Sequence, residues 1–168
     1  MSTTEHASVA RVKEAFAHAG INPEVRTLSD TARTAVEAAA GLDVEVGQIA
    51  SSIVFTVDLG DGIVPVLVVT SGRHRVNTSL VQEAAALPTF GRADADFVRE
   101  WSGFAIGGVS PTGWIHNGQP YSPLTFVDVA LADYDVVWAA AGHTHVVYRT
   151  TFAELVSLTQ GTAVIAGD

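Results

Sequence analysis

Apolar residues at helical spacing predict a first helix near the start of the chain. They are Val9, Val12, Phe16 and Ala19, which would share one face of a helix with about 3.6 residues per turn. The segment Ser2–Glu5 has the spacing of a capping box, in which a serine or threonine and a glutamate exchange hydrogen bonds at a helix start. Gly20 and Pro23 predict where this helix ends.

The centre of the chain predicts a β-hairpin. Residues 49–57 and 63–70 are β-branched and apolar, which is typical of buried strands. Residues 58–62 between them are polar and rich in glycine, so they predict a tight turn. We therefore expect the two segments to pair as antiparallel strands in the core.

The remaining segments predict further helices and strands. Helices are predicted where a capping residue precedes apolar residues at helical spacing: from Ser29 or Asp30 to Gly41, from Asn77 or Thr78 to before Pro88, from Asp94 to before Gly103, and from Thr151 through Leu158. Short strands are predicted where apolar or extended runs occur: at 24–28, 125–130, 136–141, 145–149 and 164–165. Since the helices fall between groups of strands and do not alternate strictly with single strands, we expect a mixed sheet in one α+β domain, residues 1–168.

Composition narrows the classes of protein to which the chain can belong. Its 168 residues are 48% apolar and include no cysteine, which excludes a disulfide scaffold, a thiolate zinc site and a cysteine nucleophile. No apolar run approaches the roughly 18 residues that span a bilayer, and the polar start lacks a signal-peptide pattern. We therefore expect a cytoplasmic protein without a membrane partner. The formal net charge of −9 argues against broad contact with nucleic acid.

The densest basic cluster is Arg73, His74 and Arg75. It has two interpretations. The cluster could hold a short single-stranded nucleic-acid end, which needs far less positive surface than a long duplex. It could equally be a solvated turn or strand end.

The most informative segment is the glycine-rich loop at 102–113, which contains Gly107, Gly108, Ser110 and Pro111. Paired glycines allow a ligand or another backbone to approach closely. Exposed N–H groups in such a loop can hold a carbonyl oxygen or an anion. The loop lacks the spacing of a dinucleotide or phosphate fingerprint, and a tight structural turn is the alternative interpretation.

Histidines, serines and one acid offer less specific signals. His143 and His145 would share one face of a strand, and a third ligand from elsewhere would be needed to hold a metal ion. No strong metal motif supports this, so we predict neither a metal site nor a cofactor. Ser51, Ser52 and Ser110 are available for a catalytic triad with a histidine and Asp128, although no nucleophile-elbow motif is present.

Asp128 lies within an otherwise apolar strand segment, Phe126–Val129, where an acid is unusual. Two interpretations follow. Its carboxylate could cap a neighbouring backbone at a strand end, or it could line a pocket.

The order of several segments resembles the YbaK family, also known as prolyl-tRNA-synthetase-associated domains. The resemblance spans nearly the whole chain and is carried by Gln48–Phe55, Val66–Val69 with Arg75–Val76, Gly103–Pro111, Phe126–Asp128, Ala140–Gly142 and the closing helix at 154–159. Such domains have a mixed, partly barrel-like sheet flanked by helices. Known members hydrolyse wrongly charged aminoacyl-tRNA, often cysteine or alanine on the proline tRNA.

The resemblance implies a trans-acting aminoacyl-tRNA deacylase with a pocket between the central sheet and the loop at 107–111. The implied catalytic residues are Ser51, Gly107 and Gly108. The implied substrate-binding residues are Ser110, Pro111, Arg75, Ala140, Gly142 and His143. The expected partners are the 3′ end of an aminoacyl-tRNA and an aminoacyl-tRNA synthetase, and the sequence is also compatible with a homodimer.

Two departures from the family bear on activity. Active relatives usually carry a lysine where this chain has Ser51, and some carry a serine where it has Ala140. A lysine would offer a positive charge to a phosphate or a developing oxyanion, whereas a serine offers a neutral hydrogen bond. Two alternatives therefore stay open: a binding module of the same fold without turnover, and hydrolysis of a different small ester.

Overall fold

The computed structural model describes residues 6–168. Five α-helices lie in this range: α1 (Ala7–His18), α2 (Ala35–Leu42), α3 (Thr78–Ala85), α4 (Ala95–Ser102) and α5 (Phe152–Thr159). The predicted capping box at Ser2–Glu5 lies outside the described residues. Within them, α1 begins after His6, whose Nδ1 accepts a hydrogen bond from the Ser8 N–H (3.2 Å).

The described residues also contain ten strands. They are β1 (Val25–Thr27), β2 (Ile49–Asp58), β3 (Ile63–Ser71), β4 (Gly91–Arg92), β5 (Ile115–His116), β6 (Gln119–Pro120), β7 (Leu124–Asp128), β8 (Val137–His143), β9 (Val146–Thr150) and β10 (Thr162–Val164). The predicted hairpin is confirmed, because β2 and β3 pair antiparallel from Ala50 with Ser71 to Asp58 with Ile63.

The sheet is mixed, as predicted. Its strand order is β1-β9-β8-β2-β3-β7-β10, with β4 paired to β2, while β5 and β6 form a separate hairpin. The pairs β2–β8, β3–β7 and β7–β10 are parallel, and the pairs β1–β9, β2–β3, β2–β4 and β8–β9 are antiparallel. Helices flank this sheet, so the expected α+β class is confirmed.

One edge of β2 is shared by two short partners. The start of β2 pairs with β8 through Ile49 and Ala50, and its end pairs with β4 through Phe55 and Thr56. Residues 51–54 therefore have no partner strand on this edge among the described residues. Unpaired edge backbone is available to bind other groups, and this gap sets the position of the candidate site.

Alternation along β2 places its side chains in different cores on the two faces of the sheet. Ala50 and Val54 pack with the largest buried cluster, which includes Leu67, Phe104 and Tyr148. Side chains of the opposite parity pack in two other clusters, one around Val57 and Phe90 and one around Ile49 and Trp138. Consecutive residues in the unpaired gap therefore face different surroundings.

The predicted start of the second helix was wrong. The second helix is capped by Thr34, whose Oγ1 accepts a hydrogen bond from the Glu37 N–H (3.1 Å), and not by Ser29 or Asp30. The Ser29 hydroxyl instead hydrogen-bonds to that of Thr31 (2.7 Å) in a preceding turn. Ser29 and Thr34 both have side chains suited to capping. Thr34 is the cap because Glu37, three residues later, completes its capping box.

The predicted strand at 125–130 ends at Asp128, and a 3-10 turn follows over Val129–Asp133. The predicted strand at 145–149 begins at Val146, since His145 lies in the turn after β8. Across residues 6–168, no helix has the length and apolar character that crossing a membrane would require.

Candidate functional site

A groove of about 390 Å³ lies along the unpaired edge of β2. Most of its wall is apolar and is formed by Ile53, Val54, Phe55, Phe90, Val98 and Ile106. The side chains that bring polar or charged groups to it are Ser52, Thr78 and Arg92. Apolar walls with a few converging polar groups are the usual composition of a small-molecule pocket, and this volume lies within the range of such pockets.

Ser52 is one of the polar residues that line this groove. Its Oγ atom is buried and has no hydrogen-bond partner among the described residues. Nearly all buried polar atoms in folded proteins are hydrogen-bonded, and one left without a protein partner calls for water or a ligand. Ser52 lines the groove, but its Oγ atom is closed off from solvent in this structure, so the side chain has to rotate before this hydroxyl meets a bound molecule.

The glycine-rich loop contributes Ile106, an exposed apolar side chain, to the same groove. Next to it, the Gly108 N–H donates to the Ala105 carbonyl (2.9 Å), so this donor is used within the loop. Gly107 is exposed, and its N–H has no partner in the described part of the chain. Of the two glycine N–H groups that the sequence suggested as donors, only that of Gly107 is available to a ligand.

Ser110 and Pro111 are buried near the end of the loop. The Ser110 Oγ accepts a hydrogen bond from the Thr112 N–H (3.2 Å), and its carbonyl accepts one from Trp114 Nε1 (2.7 Å). These contacts explain the Ser-Pro pair through the shape of the loop. Substrate contact by either residue stays a prediction.

Ser51 and Ala140 stand at the fork where β2 and β8 separate. The last paired residues of these parallel strands are Ala50 and Ala139, so Ser51 and Ala140 occupy the next positions in register. Both side chains then lie on the same face of the sheet. The two departures from the family pattern therefore fall side by side in the structure, one residue from Ser52.

Gly142 and His143 lie beyond this fork. Gly142 has a φ of +101°, and a Cβ there would be 2.8 Å from the Ser8 carbonyl oxygen, so α1 packs directly on it. His143 lines a separate cavity of about 760 Å³ together with His6 and His145. The structure thus brings His143 next to the glycine loop but not into the groove along β2.

The basic cluster Arg73–Arg75 lies in the turn after β3, and two of its three side chains contact acidic residues. Arg73 forms an ion pair with Asp133 (2.8 Å), and the hydrogen bond to this carboxylate raises the pKa of the Arg73 guanidinium. His74 Nε2 hydrogen-bonds to the Asp128 carboxylate. Arg75 is exposed and is not a groove residue, although it precedes Thr78 by only three positions. These contacts favour the turn interpretation for Arg73 and His74.

Asp128 combines the two interpretations that the sequence left open. The capping interpretation is confirmed, because its carboxylate accepts hydrogen bonds from the Ser71 N–H (2.9 Å) and the Ala130 N–H (3.0 Å). It also accepts one from Thr70 Oγ1 (3.2 Å) and lines a surface cavity with His74. That cavity does not share residues with the groove.

The histidine arrangements considered from the sequence, a metal site and a catalytic triad, are not assembled in the described residues. His143 ends β8 and His145 lies in the following turn, so they do not share a strand, although their ring centroids are 6.1 Å apart. Residues 6–168 contain no group of three or more candidate ligands that could hold a metal ion. Within the same residues, no hydrogen bond joins Ser51, Ser52 or Ser110 to a histidine, so no triad forms.

Arg92 and Ile106 were missed as site residues by the sequence analysis. Arg92 belongs to a two-residue strand that pairs with β2 opposite Phe55, and such a short strand has almost no sequence signal. Ile106 stood inside the glycine loop, but its exposure beside a groove follows only from tertiary packing. The one available signal was its place next to Gly107.

Comparison with known families identifies the class of protein to which this fold belongs. The profile of the aminoacyl-tRNA editing domain matches residues 29–158, so this chain belongs to that family. Together with the structural likeness below, this supports a role in tRNA editing in the broad sense. A search of curated protein sequences returned no match.

Solved structures share the fold over almost the whole chain. One, described as "a putative trans-editing enzyme for prolyl tRNA synthetase", is 34% identical with a TM-score of 0.85 and covers 98% of this chain and 99% of its own. A scaffold protein used to present linear epitopes is 30% identical with a TM-score of 0.83, over 98% and 99% of the two chains. A hypothetical protein is 25% identical with a TM-score of 0.80, over 94% and 99%.

Proposed function

We propose that this protein is a trans-acting aminoacyl-tRNA deacylase, with cysteine or alanine on the proline tRNA as its first candidate substrates. The observation that carries the proposal is an apolar groove beside the glycine loop that is lined by Ser52, whose buried hydroxyl has no hydrogen-bond partner among the described residues. Membership of the editing-domain family supports the reaction. The description of the 34% identical structure, which mentions prolyl-tRNA synthetase, supports the choice of tRNA.

The groove suits an aminoacyl group with a small uncharged side chain. Its apolar wall favours the burial of a short side chain, and its volume of about 390 Å³ leaves room for the ester and part of the terminal ribose. Only the 3′ end of the tRNA has to enter, so a formal net charge of −9 on the whole chain does not prevent binding.

In the proposed reaction, water adds to the carbonyl carbon of the aminoacyl ester. The bond from this carbon to the ribose oxygen then breaks, and the ribose oxygen takes a proton. The products are the free amino acid and a tRNA with a free 3′ hydroxyl. Because the ester is already activated, the protein has mainly to position it and to stabilise the oxyanion.

Two donors in this chain are candidates for that stabilisation. The Ser52 hydroxyl and the Gly107 N–H are both without a partner among the described residues. Ser51 would contact the substrate from the fork, in place of the family lysine. Replacing a charged donor by a neutral one is expected to cost on the order of 2–4 kcal/mol of transition-state stabilisation.

The test is deacylation of a panel of mischarged tRNAs by the native protein, Ser51→Ala and Ser51→Lys. Ser122→Ala, at an exposed serine outside the groove lining, is the matched control. Catalytic discharge by the native protein and the control, weakened in Ser51→Ala, would support editing with a serine in the lysine's place. The partners would then be the aminoacyl-tRNA 3′ end and the cognate synthetase, in the cytoplasm.

Two other results would change the assignment. If the native protein has no deacylase activity and Ser51→Lys gains it, the native site is inactive and the protein acts as a binding module. If neither the native protein nor any variant discharges a tRNA of the panel, the deacylase proposal is overturned. Cleavage of model esters without discharge of tRNA would instead identify a small-ester hydrolase.

A further inference from the structure

The groove contains one basic residue, Arg92, which the family's catalytic pattern does not account for. Arg92 lies directly opposite Phe55 in the antiparallel β2–β4 ladder. Opposed residues in such a ladder point to the same face, and Ser51, Ile53 and Phe55 share a face along β2. The Arg92 side chain is therefore on the face of Ser51, four strand positions away, which corresponds to about 13 Å.

The backbone of Arg92 is held firmly by its neighbours. Gly91 lies opposite Thr56, and a Cβ at Gly91 would be 2.5 Å from the Thr56 Oγ1, so only glycine allows this close pairing. On the other side, Ala93 is buried in the core, and Asp94 caps α4 by accepting a hydrogen bond from the Phe97 N–H (2.8 Å). These contacts fix the backbone position from which the Arg92 side chain reaches the groove.

The guanidinium has no anionic partner in the described part of the chain. Arg92 is exposed, and no ion pair or hydrogen bond engages its side chain within residues 6–168. The chain carries 18 acidic residues against nine basic ones, yet no acidic residue of the described range lines this groove. Such an arrangement fits an anionic ligand that comes from outside the chain.

We propose that Arg92 binds a phosphate of the tRNA 3′ terminus while the aminoacyl ester lies near Ser51 and Ser52. This inference rests on the proposed function. The guanidinium can hold two phosphate oxygens at once through its planar fork. The spacing of about 13 Å from Ser51 is too long for one group to meet both residues, so Arg92 acts on the nucleotide and not on the ester. The positive charge absent from position 51 is thereby supplied from the neighbouring strand.

Binding of RNA without turnover tests this directly. The probe is an uncharged RNA minihelix that ends in a single-stranded CCA, titrated at several salt concentrations against the native protein, Arg92→Gln, Arg92→Lys and Arg99→Gln. Arg99→Gln is the matched control, since it removes the same charge from an exposed residue that is not among the groove lining. Thermal melting of each variant establishes that it is folded.

Arg92→Gln should weaken binding about ten-fold and lower the slope of log affinity against log salt by about 0.7. Arg92→Lys should recover part of the loss, and Arg99→Gln should change affinity by less than about two-fold. Native affinity and salt slope in Arg92→Gln would overturn the inference. An equal loss in Arg99→Gln would also overturn it, because the effect would then come from net charge alone.

A second experiment tests the Arg92 inference separately from the proposed deacylase function. An aminoacyl-adenosine ester without phosphate should be hydrolysed equally by the native protein and Arg92→Gln, whereas discharge of aminoacyl-tRNA should fall in the variant. If no ester is hydrolysed but Arg92→Gln still loses RNA binding, the deacylase proposal fails and the Arg92 inference stands. If tRNA is discharged equally by both proteins, the Arg92 inference fails alone.

Discussion

Gly108 packs against His143 so closely that a Cβ at position 108 would lie 2.9 Å from the His143 Cα. This contact joins the glycine loop to the end of β8, just beyond the fork at Ser51 and Ala140. It also places Ile106 over the groove. The paired glycines thus serve different purposes, with Gly108 permitting a backbone contact and Gly107 keeping an N–H exposed.

Gly108→Ala should therefore destabilise the protein by about 1–3 kcal/mol, because backbone atoms would have to move to admit the methyl group. The measurement is urea unfolding followed by far-UV circular dichroism. Deacylation should fall as well, since the loop would shift relative to the groove. An unfolding midpoint equal to that of the native protein would contradict the packing described here.

Gly107→Ala is the matched comparison for stability. The nearest atom to a Cβ at Gly107 is the Thr144 Oγ1 at 3.5 Å, an ordinary contact. Its free energy of unfolding should stay within about 1 kcal/mol of the native value. Equal destabilisation by the two variants would mean that the loop as a whole, and not the approach of Gly108 to His143, sets the effect.

Ser52→Ala should lower the rate of deacylation without lowering the free energy of unfolding. The Ser52 hydroxyl is buried without a hydrogen-bond partner among residues 6–168, so its removal should leave the free energy of unfolding unchanged or raise it by up to about 1 kcal/mol. Deacylation should fall if this hydroxyl meets the substrate, by roughly 10- to 100-fold for one lost donor. A drop in stability together with unchanged activity would assign Ser52 to the fold alone.

Asp128→Asn should destabilise the protein by about 2–4 kcal/mol. The carboxylate is only 1% exposed and accepts hydrogen bonds from Thr70, Ser71 and Ala130 as well as from His74. An amide cannot accept all of them. Thermal unfolding near pH 7 measures the loss, and Asp133→Asn, which removes an exposed partner of Arg73, should leave the midpoint close to native.

Tyr148→Phe should make the protein more resistant to alkali. Tyr148 is buried at the centre of the core, and its hydroxyl has no partner within the described residues. Burial, with a smaller effect of Glu154, raises the pKa of Tyr148 well above its usual value. The unfolded chain therefore loses this proton first, near pH 10, and the native protein loses stability as pH rises above that point.

The measurement for this prediction is the free energy of unfolding at pH 7 and at about pH 11. At pH 7 the Tyr148→Phe variant should be as stable as the native protein or about 1 kcal/mol more stable, because an unpaired buried hydroxyl is removed. The advantage should grow at the higher pH. A constant difference between the two pH values would show that the Tyr148 phenol ionises equally in both states.

Much of the local structure could be predicted because its causes are local. The hairpin of β2 and β3 follows from two β-branched runs around a polar turn, and α3 to α5 begin at the predicted caps, with Asn77, Asp94 and Thr151 at their starts. The start of α2 was misplaced, because Ser29, Asp30 and Thr34 all have capping side chains. Choosing among them required the bond from Thr34 to Glu37.

The candidate site could be predicted only in part. The sequence pointed to Ser51 and the glycine loop, and the structure places both around one fork in the sheet. The sequence did not indicate that Ser52, the residue after Ser51, lines the groove. The position of the groove depends on which strands pair with β2, and a local pattern does not show this. The sequence also offered no reason to join Arg92 to β2, because a two-residue strand is formed by its partner and not by its own preference.

The class of fold, most helix starts, the central hairpin and the family can be predicted from the amino-acid sequence, because capping, periodicity and motif order are properties of neighbouring residues. The pairing of β8 and β4 with opposite ends of the same edge of β2 is visible only in the folded chain. That arrangement opens the groove, directs Ser52 into it and brings Arg92 beside it. Pairing between strands distant in sequence depends on the packing of the whole core, which a local pattern does not encode.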